Sequence, residues 1–122
     1  MRRVEFLREP LTYFNKFEYV AYLQSVNSED ELFEKLSEIL KFPDYFGYNW
    51  NAVYDCLRDF NWITMEGIVL VHIELPKLTQ EKLKNYIEML VNVVQDWKEG
   101  EEHYFKVIFP ESTKDLIQQY IF

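Results

Sequence analysis

Residues 68–73 read IVLVHI, an apolar run in which polar and apolar positions do not alternate. Runs of this kind are typical of strands buried on both faces, as in a parallel sheet covered by helices. Two other segments, EYVAYLQ at 18–24 and YFKVIF at 104–109, are rich in β-branched and aromatic residues and also predict strands. Together the three segments predict a small three-stranded parallel sheet.

Helical patterns separate these strands, and each pattern follows a residue that commonly caps helices. The predicted caps are Ser28, with Glu31 completing a capping box, then Asn49, Thr79, and Ser112 with Asp115. The first helix is expected to end before Pro43, the second to cover about 50–60, and the third to reach about Trp97. Between the first two helices, Gly47 is expected to adopt a backbone angle that other residues resist.

The order β-α-α-β-α-β-α predicts an α/β fold with right-handed crossovers between parallel strands, flanked by helices. A length of 122 residues favours a single domain over 1–122. Residues 1–17, which Pro10 interrupts, are expected to form irregular structure or a short turn.

The net charge of the chain is −8, and it is concentrated in the middle of the sequence. Residues 28–60 carry three basic and eight acidic side chains, whereas residues 1–27 carry four basic and three acidic ones. An acidic surface repels the phosphates of nucleic acids and of anionic membranes, and it favours a basic protein partner. The charge alone also fits a simpler interpretation, in which it keeps an aromatic-rich domain soluble.

The sequence contains one cysteine, Cys56, so an internal disulfide is excluded, which fits a reducing compartment. The first residues, MRRVEFLREPLTYF, lack the apolar core of a signal peptide. No apolar run approaches the roughly 20 residues that a membrane helix needs. These features predict a cytoplasmic protein.

Residues that could carry out catalysis are few, and simpler explanations exist for them. His72 lies in the apolar run and is expected to be buried with satisfied hydrogen bonds, whereas His103 follows two glutamates in a predicted loop and is expected to be solvated. Cys56 lies on the apolar face of its helix, where an inert thiol is expected. No metal-binding or phosphate-binding motif occurs, so we expect no cofactor. A hydrolytic enzyme that uses two of the many carboxylates stays an alternative.

The segment 42–60, FPDYFGYNWNAVYDCLRDF, combines aromatic and acidic residues in an unusual way. Its aromatic residues up to the start of the second helix are Phe42, Tyr45, Phe46, Tyr48 and Trp50. Asn51, Asp55 and Asp59 follow at four-residue spacing, which places them on one helical face. Like charges at this spacing destabilise an isolated helix by roughly 0.2–0.5 kcal/mol, so local stability does not explain the pattern.

A binding surface would explain the pattern, because aromatic side chains anchor interfaces and carboxylates pair with the cations of a partner. In a cationic cleft of a partner, a rigid carboxylate can take the place of a phosphate and accept the same charge-assisted hydrogen bonds. The alternative is an ordinary solvated helix face beside core aromatic residues. The pattern alone leaves both interpretations open.

The segment 42–57, FPDYFGYNWNAVYDCL, resembles the signature of the barstar family of ribonuclease inhibitors. Twelve of its sixteen positions match the pattern of that family: Pro43, Asp44, Tyr45, Phe46, Gly47, Asn49, Trp50, Ala52, Tyr54, Asp55, Cys56 and Leu57. The preceding capped helix and the order of the strands also fit, so the resemblance covers about residues 18–109. Residues 1–17 and the final helix, at 111–122, would then be additions to a barstar-like domain.

The resemblance implies a surface that binds the active site of a basic ribonuclease or nuclease toxin. By position, Asp55 resembles the central acid of the family, which enters the phosphate site of the nuclease. Tyr45 resembles the aromatic residue that packs beside that site, while Gly47 and Asn49 match the loop before the binding helix. Asp96 is the nearest candidate for an acid on the later helix. The expected partner-binding residues are Tyr45, Gly47, Asn49, Asn51, Tyr54, Asp55, Asp59 and Asp96.

The sequence departs from the family at one position that matters. Where the family usually has its first helical aspartate, this chain has Asn51, which keeps the shape but loses the charge. Either the partner differs from the usual enzyme, or Asp59 and Asp44 compensate. The second cysteine of the family is also missing. The resemblance implies a non-catalytic, stoichiometric inhibitor or immunity protein, and the alternative is an interaction module of the same fold with a non-nuclease partner.

Overall fold

The computed structural model describes residues 3–121 and contains one sheet of four parallel strands, in the order β1-β4-β3-β2. The strands are β1 (Val4–Leu7), β2 (Glu18–Leu23), β3 (Gly67–His72) and β4 (Tyr104–Pro110). The helices are α1 (Glu29–Ile39), α2 (Trp50–Leu57), α3 (Gln80–Asp96) and α4 (Lys114–Ile121). Short 3-10 turns at Pro10–Thr12 and Glu111–Thr113 precede β2 and α4. The predicted α/β fold with a parallel, helix-flanked sheet is confirmed.

The predicted number of strands is wrong, because β1 forms a fourth strand where the sequence predicts irregular structure. This strand pairs with β4, from Val4 opposite Val107 to Leu7 opposite Pro110. Val4 is the one buried residue of β1, and the short sequence VEFL has no long apolar run that would predict a strand. An edge strand of this kind is stabilised by its partner strand, which lies near the other end of the chain.

All six residues of β3 are buried, as the apolar run predicts. On one face of the sheet, Ile68 and Leu70 join the main core, to which all four helices contribute. On the other face, Val69 and Val71 form a smaller cluster, against which Tyr13 packs. Tyr13 lies in the segment between β1 and β2, so that segment provides the second cover of the sheet.

A buried carboxylate, that of Glu18, lies at the start of β2. The hydroxyl groups of Tyr13 and Tyr104 each donate a hydrogen bond to one of its oxygens. Burial and this hydrogen bond raise the pKa of Tyr104 to about 12. A Cβ at Gly67, between Glu18 and Tyr104 in the register of the strands, would lie 2.2 Å from the ring of Tyr104. The glycine therefore leaves room for the ring that satisfies the buried acid.

Three of the four predicted helix caps are confirmed. The side chains of Ser28, Asn49 and Thr79 each accept a hydrogen bond from the backbone N–H three residues later. The fourth cap is wrong, because α4 begins only at Lys114, after a 3-10 turn that includes Ser112. Helix α2 also ends earlier than predicted, at Leu57, because the chain turns away at residues 58–60.

Both histidines are buried, so the prediction for His72 is confirmed and that for His103 is wrong. The Nδ1 of His72 donates to the carbonyl of Ile108 (3.1 Å), and the hydroxyl of Tyr86 lies 2.7 Å from Nε2, to which it donates. Burial lowers the pKa of His72 to about 4, so the ring is neutral at pH 7. His103 is covered by Trp97, edge to face, and its Nδ1 donates to the carbonyl of Met65 (2.9 Å).

We expect acid to destabilise the fold through His72. Its folded pKa lies below the ordinary value, so the stabilisation is complete above about pH 6.5 and is lost as the pH falls towards 4. The shift corresponds to roughly 3 kcal/mol. Urea denaturation at pH 7 and pH 4.5 measures the loss in the free energy of unfolding. In His72→Gln, which has no group that titrates at this position, the loss should be smaller by about 2 kcal/mol. Equal losses in the two proteins would contradict the assignment.

Candidate functional site

The loop between α1 and α2 is attached to α2 by the side chain of Asn49. Its Oδ1 accepts a hydrogen bond from the N–H of Ala52 (2.9 Å), and its Nδ2 donates to the carbonyl of Gly47 (3.1 Å). A Cβ at Gly47 would lie 3.2 Å from that Nδ2, so the glycine leaves room for this bond. Asn49 and Gly47, both predicted site residues, therefore hold the loop against the start of the helix.

The unusual backbone angle of this loop belongs to Tyr48 and not to Gly47, so the prediction for Gly47 is wrong. Tyr48 has a φ of 52°, in the left-handed region, whereas the positive-φ glycine of the described residues is Gly100. A bulky side chain in this region costs of order 1–3 kcal/mol. A side chain at residue 47 would crowd Asn49, and the backbone strain lies on the neighbouring Tyr48.

The aromatic residues of the loop divide between the core and the surface. Phe42 and Phe46 are buried, and their ring centroids lie 4.9 Å apart. Tyr45 and Tyr48 are 71% and 56% exposed, and the ring of Tyr48 packs against that of Phe46 at 4.7 Å. The loop therefore presents two tyrosine rings to solvent beside α2.

The acidic face of α2 points towards solvent. Asn51 and Asp55 are exposed, and Asp55 takes part in no ion pair within residues 3–121. Asp59, just beyond the helix, is partly buried and accepts hydrogen bonds from the N–H of Asn61 (3.3 Å) and the hydroxyl of Tyr45 (3.5 Å). Asp55 therefore keeps an uncompensated negative charge, whereas Asp59 is held in position.

A small pocket of about 170 Å³ lies between Tyr45 and α2 and brings three predicted site residues together. It is lined by Tyr45, Phe46, Ala52, Asp55, Cys56 and Asp59. Burial, together with the charges of Asp59 and Asp55, raises the pKa of Cys56 to about 11. The thiol is therefore protonated at neutral pH and is a poor nucleophile, which agrees with the inert role expected from its place on the apolar face.

Two further predicted site residues meet where α2 and α3 pack together. The hydroxyl of Tyr54 donates a hydrogen bond to Oδ2 of Asp96 at 2.5 Å. This bond raises the pKa of Tyr54 and fixes the direction of the carboxylate of Asp96. The sequence predicts both residues as partner-binding without indicating that they touch, because they lie on different helices.

Contacts among Arg58, Trp97 and Glu101, which the sequence did not predict, also stabilise the packing of α2 against α3. The guanidinium of Arg58 lies 4.3 Å from the ring centroid of Trp97 and 3.5 Å from a carboxylate oxygen of Glu101. The indole Nε1 of Trp97 donates to the carbonyl of Leu57 (2.8 Å), at the end of α2. Because Arg58 is distant from the other two residues in the sequence, no local pattern indicates the contact.

Other surfaces carry less distinctive chemistry. A larger concavity of about 710 Å³ lies by the amino ends of β3 and β4, where acidic, basic and aromatic side chains mix. None of the predicted site residues lines it. Within residues 3–121, no group of three or more His, Cys, Asp and Glu is placed to hold a metal ion. No helix in the same range has both the length and the apolar character needed to cross a bilayer.

The chain is similar to known proteins over much of its length. The family model described as "Barstar (barnase inhibitor)" matches residues 17–110. A protein of Bacillus subtilis (strain 168), named "Putative ribonuclease inhibitor YrdF", is 32% identical over 78 residues, which cover 63% of this chain and 80% of the relative. No solved structure matches significantly. The family match includes α2, α3 and the loop before α2, whereas β1 and α4 lie outside it.

We expect two substitutions in the site to affect stability differently. Asn49→Ala should lower the free energy of unfolding by about 1–2 kcal/mol, because α2 loses its cap and the loop loses a hydrogen bond. Asp55→Ala should change it by less than about 0.5 kcal/mol, because the side chain is exposed and unpaired. Urea denaturation of both variants measures the two effects. A loss in Asp55→Ala as large as that in Asn49→Ala would contradict the description of Asp55.

Proposed function

Because the chain belongs to the barstar family, we propose that it is a stoichiometric, non-catalytic inhibitor of a basic ribonuclease. The family match and the relative named as a ribonuclease inhibitor support a role of this kind. We propose further that the acidic face of α2 blocks the active site of the enzyme. In this role the chain is an immunity protein, which protects the cytoplasm of its cell from a nuclease toxin.

The observation that carries the proposal is the exposed, uncompensated carboxylate of Asp55. Five acids of residues 3–121 are paired with cations of the chain, as Glu29 is with Lys82 at 2.7 Å. Among the exposed acids without such a pair, Asp55 is distinguished by the pocket that it lines beside Tyr45. Asp55 has no such partner within the described residues, so its charge is available to another molecule. A ribonuclease holds the phosphate of RNA with cationic side chains, and a carboxylate accepts the same charge-assisted hydrogen bonds.

The surroundings of Asp55 support the same role. Tyr45 and Asp59 line a pocket with it, and the carboxylate of Asp59 accepts hydrogen bonds from the N–H of Asn61 (3.3 Å) and the hydroxyl of Tyr45 (3.5 Å). Asp96 is likewise oriented by Tyr54. Side chains fixed in advance lose little conformational freedom on binding, which increases affinity.

The charge of the whole chain favours a basic partner. The net charge is −8, and the middle of the sequence, which contains α2, is its most acidic part. Opposite fields raise the rate at which two proteins meet, and salt screens this effect. Association with a basic ribonuclease should therefore be fast and should slow as the ionic strength rises.

Asp55→Ala should weaken binding to barnase, the enzyme named in the description of the family, by roughly 2–5 kcal/mol. The reason is that cations in the cleft of the nuclease would be buried without a partner. Asp115→Asn is the matched control, because it removes one negative charge from an exposed position in α4. Calorimetry and inhibition of RNA hydrolysis measure both variants, and the control should change affinity by less than about 0.5 kcal/mol.

Two results would oppose the proposal. Equal affinities of Asp55→Ala and the unaltered chain would refute the binding face. A failure of the unaltered chain to inhibit barnase would refute a barnase-type target. It would favour the alternative of a non-catalytic interaction module of the same fold with a non-nuclease partner.

Asn51→Asp should tighten binding to barnase by roughly 1–2 kcal/mol, because it adds a second carboxylate one turn before Asp55 on the exposed face. Stability should hardly change, since the start of a helix favours a negative charge and offsets the repulsion from Asp55. Titration calorimetry and urea unfolding measure the two quantities. Unchanged or weaker binding would show that the nuclease surface opposite residue 51 is not basic.

A further inference from the structure

We infer that Tyr48 is a second aromatic recognition residue, whose ring receives an arginine side chain of the ribonuclease. The inference rests on the proposed function and adds a contact outside the pocket formed by Tyr45, Asp55 and Asp59. Three features of Tyr48 lead to it.

The first feature is the position of the ring. Tyr48 is 56% exposed, although its ring centroid lies only 4.7 Å from that of the buried Phe46. The core therefore supports the ring from one side while much of its surface stays in contact with water. A supported, exposed tyrosine is well suited to binding, because it offers a large contact area and loses little freedom when a partner covers it.

The second feature is the backbone of Tyr48. Three residues other than glycine have positive φ within the described chain, namely Lys41 (55°), Tyr48 (52°) and Phe60 (52°). Lys41 and Phe60 follow the ends of α1 and α2, where a left-handed residue is a common way to terminate a helix. Tyr48 precedes a helix, so this explanation does not apply to it. Strained backbone that local structure does not require is concentrated at binding and catalytic sites.

The third feature is the charge around the loop. Asp55 of α2 and Asp59 just beyond it attract cations, and a cleft that binds phosphate is rich in arginine. Guanidinium groups stack on aromatic rings, as this chain itself shows at Tyr104, over which Arg3 lies at 3.6 Å. The cation–π contacts within residues 3–121 engage other rings and leave Tyr48 uncovered. An arginine of the partner is therefore the occupant that this surface favours.

Three substitutions separate the contributions of the ring, its bulk and the strained backbone. Tyr48→Phe keeps the aromatic face and should bind barnase within about twofold of the unaltered chain. Tyr48→Leu keeps an apolar side chain in the same strained backbone, and it should bind at least about tenfold more weakly because the aromatic face is lost. Tyr48→Gly should bind as weakly as Tyr48→Leu. Its melting temperature should match or exceed that of the unaltered chain, because the strain is relieved.

Calorimetry with barnase, with Asp55→Ala measured in parallel, distinguishes the possible failures. If the unaltered chain does not bind barnase, a barnase-type target is refuted, and with it the inference for this enzyme. If Asp55→Ala weakens binding but Tyr48→Leu and Tyr48→Gly do not, the inference alone is wrong. If Tyr48→Gly binds weakly but Tyr48→Leu binds fully, the arginine contact is wrong, and an apolar group of the partner packs against residue 48. A fall of more than about 5 °C in the melting temperature of Tyr48→Gly would assign the ring to the fold instead.

Discussion

The burial of β3 on both faces is the constraint on which the rest of the structure depends. Its six residues include no side chain that faces water, so the sheet must be covered twice. All four helices contribute to the core on one face, and Tyr13 packs on the other. The second cover and the edge strand β1 come from residues before 17, which lie outside the family match. The buried Glu18 is satisfied by Tyr13 and Tyr104, so this N-terminal segment also takes part in the polar interior.

Much of the fold could be predicted because local patterns determine it. The strands β2, β3 and β4 and the caps of α1, α2 and α3 are recognisable from periodicity and capping chemistry. The strand β1 could not be recognised in this way, because its pairing with β4 is a tertiary interaction and its residues are mostly half-buried. The burial of His103 has a similar cause, since the ring of Trp97 and a distant backbone carbonyl surround it. Polar neighbours in the sequence gave no indication of that environment.

For the candidate site, the sequence predicts positions along α2 but not the contacts between distant elements. Spacing along α2 is sufficient to place Asn51 and Asp55 on one exposed face, and the structure agrees. The spacing of residues within one helix gives no information about contacts between distant elements. The hydrogen bond from Tyr54 to Asp96 and the stacking of Arg58 on Trp97 could therefore not be anticipated. The presence of Gly47 suggests an unusual loop, but the sequence does not show that Tyr48 is the residue with the strained backbone.

Several features that oppose local stability occur together in residues 45–59. Tyr48 has a strained backbone, Asp55 and Asp59 carry like charges one turn apart, and the rings of Tyr45 and Tyr48 are exposed. Exposed rings alone do not distinguish a binding surface, because Phe14 and Phe17 are also exposed in the segment before β2. The loop and α2 differ from that segment because strain, uncompensated charge and exposed rings occur together. Departures from local consistency that cluster in this way are typical of surfaces that serve a partner rather than the fold.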